Sequence, residues 1–210
     1  MRADALLIDF DGVFRHWPLS DAPTESVHGL PIGAIRKVAF ADELLELAIT
    51  GVITDEEWRS EVSRRLAHSF PSSTSTQAVA QWSRSLGEID ADVLRLLRDC
   101  NPSLRVVLAS NATTRLSRDL AALDLTKYFH AVANSSQIGV AKPREEFFRH
   151  ALRLADTAAE RAIYVDDSPE NVAAAEELGI VSRIYTGFAS LRQFLCEEGL
   201  LGTASDRMRN

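Results

Sequence analysis

Two acidic residues separated by a single position follow the first apolar run of the chain. The run covers residues 5–8, and Asp9 and Asp11 come directly after it. In extended chain, residues two positions apart point the same way, so both carboxylates are expected to face one site. A carboxylate there can attack phosphorus to give an aspartyl-phosphate, while its neighbour protonates the leaving oxygen and then deprotonates water. Taken alone, the pair is also typical of a turn after a strand.

Polar groups recur at three later points, each where an apolar run ends or a helix is expected to begin. They are Ser110 and Asn111 after residues 105–109, Lys142 before Pro143, and Asp166 and Asp167 after residues 162–165. Each cluster alone has a structural explanation, such as a helix cap or a surface lysine. The four together, in this order, indicate one functional site.

The chemistry of these clusters fits phosphate transfer. Clustered carboxylates repel one another, and a divalent cation that prefers oxygen ligands relieves the repulsion. Mg²⁺ typically takes a few carboxylates together with substrate phosphate. Ser110, Asn111 and Lys142 supply the groups that can hold the transferring phosphoryl oxygens. The sequence therefore predicts a Mg²⁺-dependent site for a phosphorylated substrate.

The elements that would position these groups alternate between strands and helices. Short apolar runs are typical of strands buried on both faces of a parallel sheet. They occur at residues 5–8, 105–109 and 162–165, with weaker ones at 129–133 and 182–185. Helical periodicity lies between them, at residues 92–98, 113–123, 145–154 and 170–178. The alternation predicts an α/β fold with a doubly wound parallel sheet, which binds ligands beyond the carboxyl ends of its strands.

Residues 15–87 do not follow this alternation and are predicted to contain helices only. One helix is predicted over residues 35–50, a second begins at the capping box 54–57, and a third covers residues 77–86. The Ser/Thr-rich run 72–76 is predicted to be a polar loop. We therefore expect an all-helical insertion within the α/β core.

The four clusters resemble, in order, the motifs of the haloacid dehalogenase-like (HAD) superfamily, and the resemblance covers almost the whole chain. It implies that Asp9 is the nucleophile and a metal ligand. It also implies that Asp11 is the general acid/base, whose backbone carbonyl binds the metal. Ser110 and Asn111 match the phosphate-binding motif, and Lys142 matches the lysine that neutralises nucleophile and phosphate.

The last HAD motif matches Asp166 and Asp167. The resemblance implies that Asp167 binds Mg²⁺ directly, and it leaves open whether Asp166 binds directly or through water. Members that dehalogenate lack the second acid of the first motif, so the presence of Asp11 implies phosphate chemistry. The closest match is the phosphatase-like subfamily I with a helical cap of class C1.

The resemblance also sets the expected domain boundaries. A Rossmann-like core is expected at residues 1–14 and 88–202, a helical cap at 15–87, and a flexible tail at 203–210. Arg15, His16 and Trp17 depart from the usual continuation of the first motif, and their roles stay open.

The expected activity is hydrolysis of a small phosphorylated metabolite. A phosphotransferase or phosphomutase of the same fold is an alternative, because the acceptor is chosen by the cap. A non-catalytic binding protein is a further alternative, although its mark would be a missing nucleophile or lysine. The natural substrate is not readable from the chain.

The composition of the chain limits which partners and which cellular location are expected. The 210 residues carry a formal net charge of -7 without a basic run, which disfavours nucleic acid as a partner. No segment is long and apolar enough to predict a membrane span or a signal peptide, and the two cysteines do not suggest a disulfide framework, so a cytoplasmic location is expected. His28, His68, His130 and His150 show no ligand spacing, which disfavours zinc. Monomer and homodimer both remain open.

Overall fold

Every residue of the first strand is fully buried, as expected at the centre of a parallel sheet. The computed structural model describes residues 3–201. Its strands are Ala5–Ile8 (β1), Arg15–His16 (β2), Glu88–Ile89 (β3), Arg105–Ser110 (β4), Ala131–Asn134 (β5), Ala162–Asp166 (β6) and Val181–Ile184 (β7). The main sheet has the order β5-β4-β1-β6-β7, and all its pairings are parallel. The predicted α/β fold is therefore confirmed.

Helices cover both faces of this sheet and fill the segment between β1 and β4. They are Ala22–Val27 (α1), Ala34–Ala39 (α2), Asp42–Ile49 (α3), Asp55–Leu66 (α4), Ser72–Trp82 (α5), Ala91–Arg98 (α6), Leu116–Ala122 (α7), Ser135–Ile138 (α8), Glu145–Ala155 (α9), Pro169–Glu177 (α10) and Phe188–Glu197 (α11). Short 3₁₀ turns lie at Thr126–Tyr128 and Ala159–Arg161. None of the helices within residues 3–201 has the length and apolar character needed to cross a bilayer.

Side chains of β1 alternate between the two faces and so divide the core into two clusters. Leu6 and Ile8 pack with α6, α7 and α11 on one face. Ala5 and Leu7 pack with α9 and α10 on the other. Because β1 is anchored on both faces and paired on both edges, the residue that follows it, Asp9, starts from a rigid position.

The insertion between β1 and β4 has a hydrophobic cluster of its own, built from the loop before α2 and from α2 to α5. β2 and β3 form a two-stranded antiparallel ribbon where the chain leaves and rejoins the sheet, with Arg15 opposite Ile89. The prediction of helices only at residues 15–87 is therefore wrong at β2, while β3 lies just beyond that range. The proposed boundaries of core and cap stay a prediction, and residues 202–210, including the predicted tail, lie outside the described residues.

Two local predictions in the insertion are wrong. The helix predicted at 35–50 is two helices, because Ala41 adopts an extended conformation (φ −64°, ψ 127°) that separates α2 from α3. The carbonyl of Ala39 there accepts a hydrogen bond from the Trp58 indole at 3.0 Å instead of continuing the helix. The polar loop predicted at 72–76 is the first half of α5, in which Ser75 is fully buried. Burial of one face against α4 outweighs the low helix propensity of serine and threonine.

Two core helices are absent from the predicted elements: the four-residue helix α8, which is too short for a periodic signal, and α11. Leu191, Phe194 and Leu195 of α11 are buried at helical spacing, so the periodic signal is present but short. The other predicted strands and core helices are present, with ends displaced by at most a few residues.

Candidate active site

The carboxyl ends of β1 and β6 bring two buried aspartates to one lysine. The Lys142 ammonium donates hydrogen bonds to Asp9 Oδ1 at 2.8 Å and to Asp166 Oδ2 at 2.6 Å. A third bond goes to the carbonyl oxygen of Ala109 in β4, at 2.8 Å. Since an ammonium has three N–H donors, this arrangement uses all of them. Lys142 is therefore held between three neighbouring strands of the sheet.

Asp166 is completely buried, and both of its carboxylate oxygens are engaged. Lys142 and the Tyr164 hydroxyl donate to Oδ2, and the Ser168 backbone N–H donates to Oδ1 at 2.8 Å. The Asn171 carboxamide nitrogen lies 3.1 Å from both oxygens. A carboxylate with this many donors has little lone-pair capacity left for a direct bond to a metal ion. The position of the Asp166 carboxylate, which these donors fix, allows it to orient the Lys142 ammonium.

Asp9, Asp166 and Asp167 form an acidic cluster, in which one carboxylate oxygen of each lies within 4.8 Å of the others. Burial raises the pKa of Asp9 from 3.8 to about 7, and Asp166 adds to the rise while Lys142 opposes it. Burial and Asp166 also raise the pKa of Asp167. One lysine does not balance three carboxylates, so this donor set fits a divalent cation with oxygen ligands such as Mg²⁺.

Ser110 and Asn111, at the carboxyl end of β4, differ in their contacts. The Ser110 hydroxyl is buried and has no hydrogen-bond partner among residues 3–201. Leaving a buried hydroxyl unpaired costs free energy, and a phosphoryl oxygen would satisfy it. The Asn111 amide nitrogen donates to the Lys142 carbonyl at 2.9 Å, and its oxygen accepts from the Lys142 N–H at 2.8 Å. Asn111 thus positions the backbone that carries the lysine.

Asp11 lies close to Asp9 in the chain, but its carboxylate contacts a different set of groups. Arg15 Nε and Nη2 donate to its two oxygens at 2.6 and 3.0 Å, and the Trp17 indole N–H donates to Oδ1 at 2.8 Å. The chain returns here because the N–H groups of Phe14 and Arg15 both bond the Phe10 carbonyl. Arg15 and Trp17, whose roles the sequence leaves open, therefore both bind Asp11.

Gly12 lets the loop after β1 approach the loop after β6. Its φ is +89°, and a Cβ at this position would overlap the Asp167 carboxylate. Any other residue would therefore be strained and would push Asp167 out of the acidic cluster. Position 12 therefore requires glycine for a steric reason.

Three contacts of the site are not predicted from the sequence. Tyr164 carries a signal, because it lies two positions before Asp166 on the same strand and so on the same face. Asn171 lies one helical turn after the acidic pair, where it donates to Asp166. Asp119 carries no signal, since its contact with Arg15 joins residues 104 positions apart. His16 lies apart from the site, with Nε2 3.8 Å from a carboxylate oxygen of Asp90.

The chain is similar in sequence to known proteins. A family model described as haloacid dehalogenase-like hydrolase matches residues 76–179. The drimenol cyclase drtB of Aspergillus calidoustus is 28% identical over 188 residues, covering 86% of this chain and 34% of that protein. The sesquiterpene phosphatase astK of Aspergillus oryzae is 43% identical over 53 residues, covering 25% of this chain and 27% of that protein. The matches thus span about a third or less of either fungal protein.

The fold has solved counterparts. A HAD family enzyme from Bacteroides thetaiotaomicron, crystallised with magnesium and inorganic phosphate, superposes with a TM-score of 0.69 at 22% identity, covering 87% of this chain and 93% of that one. At this identity the similarity establishes the shared fold. With the family model and this fold in agreement, the chain carries a haloacid dehalogenase-like hydrolase domain.

Proposed function

We propose that this protein is a Mg²⁺-dependent phosphomonoesterase that passes the phosphoryl group first to Asp9 and then to water. The observation that carries the proposal is the contact of Lys142 with both Asp9 and Asp166, beside the buried and unpaired hydroxyl of Ser110. Two buried carboxylates and one lysine would not stabilise a fold better than apolar packing. Together they form a site for an anion and a cation.

The reaction proposed for this site has two steps. A carboxylate oxygen of Asp9 attacks phosphorus, so that a bond to Asp9 forms while the bond to the leaving oxygen breaks. Asp11 gives a proton to the leaving oxygen and then takes one from the water that hydrolyses the aspartyl-phosphate. The Ser110 hydroxyl donates a hydrogen bond to a phosphoryl oxygen, and the positive charge of Lys142 beside Asp9 offsets the charge of the phosphoryl group.

The proposed metal ligands are the carboxylates of Asp9 and Asp167 and the backbone carbonyl of Asp11. Bound Mg²⁺ would offset the charge that accumulates on the phosphoryl group. Asp166 is proposed to act through its contact with Lys142 or through a bridging water, because its oxygens already accept hydrogen bonds from four groups.

The substrate proposed for the first screen is a terpenyl monophosphate. One fungal relative is named a sesquiterpene phosphatase, and the other is named a drimenol cyclase. The segment after Arg15 presents apolar side chains: Trp17 is partly exposed above Asp11, and Leu19 is fully exposed. The insertion at residues 15–87 is proposed to act as the cap that selects the organic group and excludes water.

Phosphate release is the experiment that tests the proposed function. We expect the protein to release inorganic phosphate from p-nitrophenyl phosphate or from farnesyl monophosphate in Mg²⁺, and to stop when EDTA exceeds the metal. Free phosphate in the medium also separates hydrolysis from transfer to a second organic hydroxyl. Unchanged release in excess EDTA would exclude the metal role, and no release from any ester in a terpenyl and sugar phosphate panel would contradict the function.

Asp167→Asn is expected to weaken Mg²⁺ binding by about 10-fold or more, in the range that changes around a metal site typically cost. The loss follows because Asp167 is the acidic residue of the cluster whose carboxylate is exposed and accessible to a metal ion. Calorimetric titration with Mg²⁺ measures it without turnover. Asp92→Asn, a substitution of an exposed aspartate in α6, is the matched control and should leave affinity unchanged; equal affinities in the two variants would exclude Asp167 as a ligand.

A further inference from the structure

Arg15 lies between two carboxylates that belong to different elements. Besides its two bonds to Asp11, its Nη1 donates to Asp119 Oδ2 in α7 at 3.0 Å. The side chains of Arg15 and Asp119 are only 5% and 6% exposed, so this contact is shielded from water. The guanidinium also stacks between the rings of Phe10 and Trp17, 4.3 and 4.4 Å from their centroids. These contacts fix the position of Arg15 on every side.

The contacts continue from Asp119 to the segment that returns from the insertion. Arg115 Nε donates to Asp119 Oδ1 at 2.7 Å. Its Nη1 and Nη2 donate to the carbonyl oxygens of Ser83 and Ser85 at 2.7 and 3.1 Å. Residues 83–87 join α5 to β3 and are called the return linker below. A series of three successive ion pairs therefore connects Asp11 to Arg115, and two hydrogen bonds to backbone carbonyls connect Arg115 to the return linker.

Gly87 brings the return linker directly against Arg15. Its φ is +74°, and a Cβ there would lie 2.7 Å from Arg15 Cγ and 2.9 Å from Cδ. A side chain at position 87 would therefore displace either the linker or the arginine. The linker thus touches Arg15 directly as well as through Arg115.

Stability alone is a weak explanation for this series. The gain from a buried ion pair is largely offset by the loss of hydration, and apolar packing would serve the fold as well. The series instead has one property that apolar packing lacks, which is a bidentate fork directed at a single carboxylate. Asp11 is the end of the series, and it is the residue whose carboxylate must reach the leaving oxygen.

We propose that Arg15, Asp119 and Arg115 are positioning residues that fix the Asp11 carboxylate for proton transfer and tie its placement to the return linker. The inference rests on the proposed function, in which Asp11 protonates the leaving oxygen. A movement of the insertion that shifts the carbonyls of Ser83 and Ser85 moves Arg115, and each ion pair passes the displacement on to the next. The Asp11 carboxylate is therefore positioned for proton transfer only when the insertion holds the return linker in its observed position.

A misplaced acid has a specific kinetic signature. A leaving group that departs as a stable anion needs little help from an acid, whereas an alkoxide must be protonated as it leaves. Phenyl and benzyl phosphate have leaving groups of rising basicity but nearly the size of p-nitrophenyl phosphate. The selectivity of the cap therefore largely cancels when kcat/KM for benzyl phosphate is divided by kcat/KM for p-nitrophenyl phosphate. Each kcat/KM value reports the steps up to phosphoryl transfer to Asp9.

Asp119→Asn is the primary test. We expect kcat/KM for benzyl phosphate to fall by about 10-fold, while kcat/KM for p-nitrophenyl phosphate changes by less than about threefold. The 10-fold loss is a part of the roughly 10²–10⁴-fold rate increase that acid–base catalysis contributes. Arg115→Lys should shift the ratio in the same direction. The guanidinium reaches Asp119 through Nε and the two linker carbonyls through Nη1 and Nη2, and the single nitrogen of lysine does not span these positions. Asp11→Asn removes the proposed acid itself and therefore gives the largest change expected in the ratio. An unchanged ratio in Asp119→Asn would overturn the proposal, and an unchanged ratio in Arg115→Lys alone would overturn the tie to the linker.

A control separates positioning from loss of stability. Glu25 is a buried carboxylate in the insertion that accepts the N–H groups of Gly33 and Ile35, outside the series. Glu25→Gln should lower the melting temperature without changing the ratio. Where Asp119→Asn does not fold, Asp119→Glu replaces it, since it keeps the charge and displaces the carboxylate by one methylene. Wild-type protein inactive on these three esters and on the terpenyl and sugar phosphate panel would contradict the proposed function itself. That is a different outcome from an active protein whose variants keep the wild-type ratio.

Discussion

Asp9→Asn should lower phosphate release by roughly 10⁴-fold or more, because removal of a catalytic nucleophile costs at least that much. A carboxamide has nearly the shape of the carboxylate but does not form the phosphoryl intermediate. The fold should be retained. Burial raises the pKa of Asp9 to about 7, so the site already disfavours its charged form, and a neutral amide still accepts the hydrogen bond of Lys142.

The covalent step is checked directly by mass spectrometry after acid quench. The peptide containing Asp9 should carry a phosphoryl group in wild-type protein and none in Asp9→Asn. Asp156→Asn is the matched control, because Asp156 is exposed with φ +51°, a conformation that asparagine also adopts. It should keep full activity. Turnover retained in Asp9→Asn would remove the covalent mechanism while leaving the family assignment intact.

The sheet could be predicted because its signal is local. Strands such as β4 and β6 are buried on both faces, so an unbroken apolar run was enough to locate them and the polar residues at their ends. A parallel sheet then brings these ends together without further information. This is why the approach of Asp9 to Asp166 could be foreseen from spacing. Lys142 follows α8 rather than a strand, so the convergence of strand ends does not by itself place it between them.

The insertion was less predictable because tertiary contacts determine its elements. Its helices are short, and the break before α3 depends on a hydrogen bond from Trp58, 19 positions away from its acceptor Ala39. The helix over the Ser/Thr run depends on burial against α4 rather than on propensity. No local pattern contains either contact.

The same limit applies within the active site. The spacing of Asp9 and Asp11 was enough to assign them to one site. It did not predict that their carboxylates would contact different groups. Asp9 is bound by Lys142, whereas Asp11 is bound by Arg15, which also contacts the distant Asp119. Spacing therefore brings the two carboxylates to one site, whereas the contacts that distinguish their surroundings come from residues distant in the chain.

Lys142→Met should lower the free energy of unfolding of the metal-free protein by about 3–5 kcal/mol at pH 8, because it leaves Asp9 and Asp166 buried without their common cation. The loss should be smaller at pH 5. Burial raises the pKa of Asp9 from 3.8 to about 7 even though Lys142 lowers it, so without the lysine the folded protein holds this proton to higher pH. The unfolded chain releases it above about pH 4, so stability falls as the pH rises.

Urea unfolding at pH 5 and pH 8, with EDTA and with Mg²⁺, separates charge from packing in this variant. Methionine nearly preserves the volume of lysine, so a loss due to charge should grow with pH and be reversed in part by Mg²⁺, which binds the same carboxylates. Lys127→Met is the control, because Lys127 is exposed and pairs with Asp124 at the surface; its effect should stay within about 0.5 kcal/mol at both pH values. A loss independent of both pH and metal would mean that Lys142 serves the fold by packing, and the positive charge of the proposed phosphate site would then have to come from elsewhere.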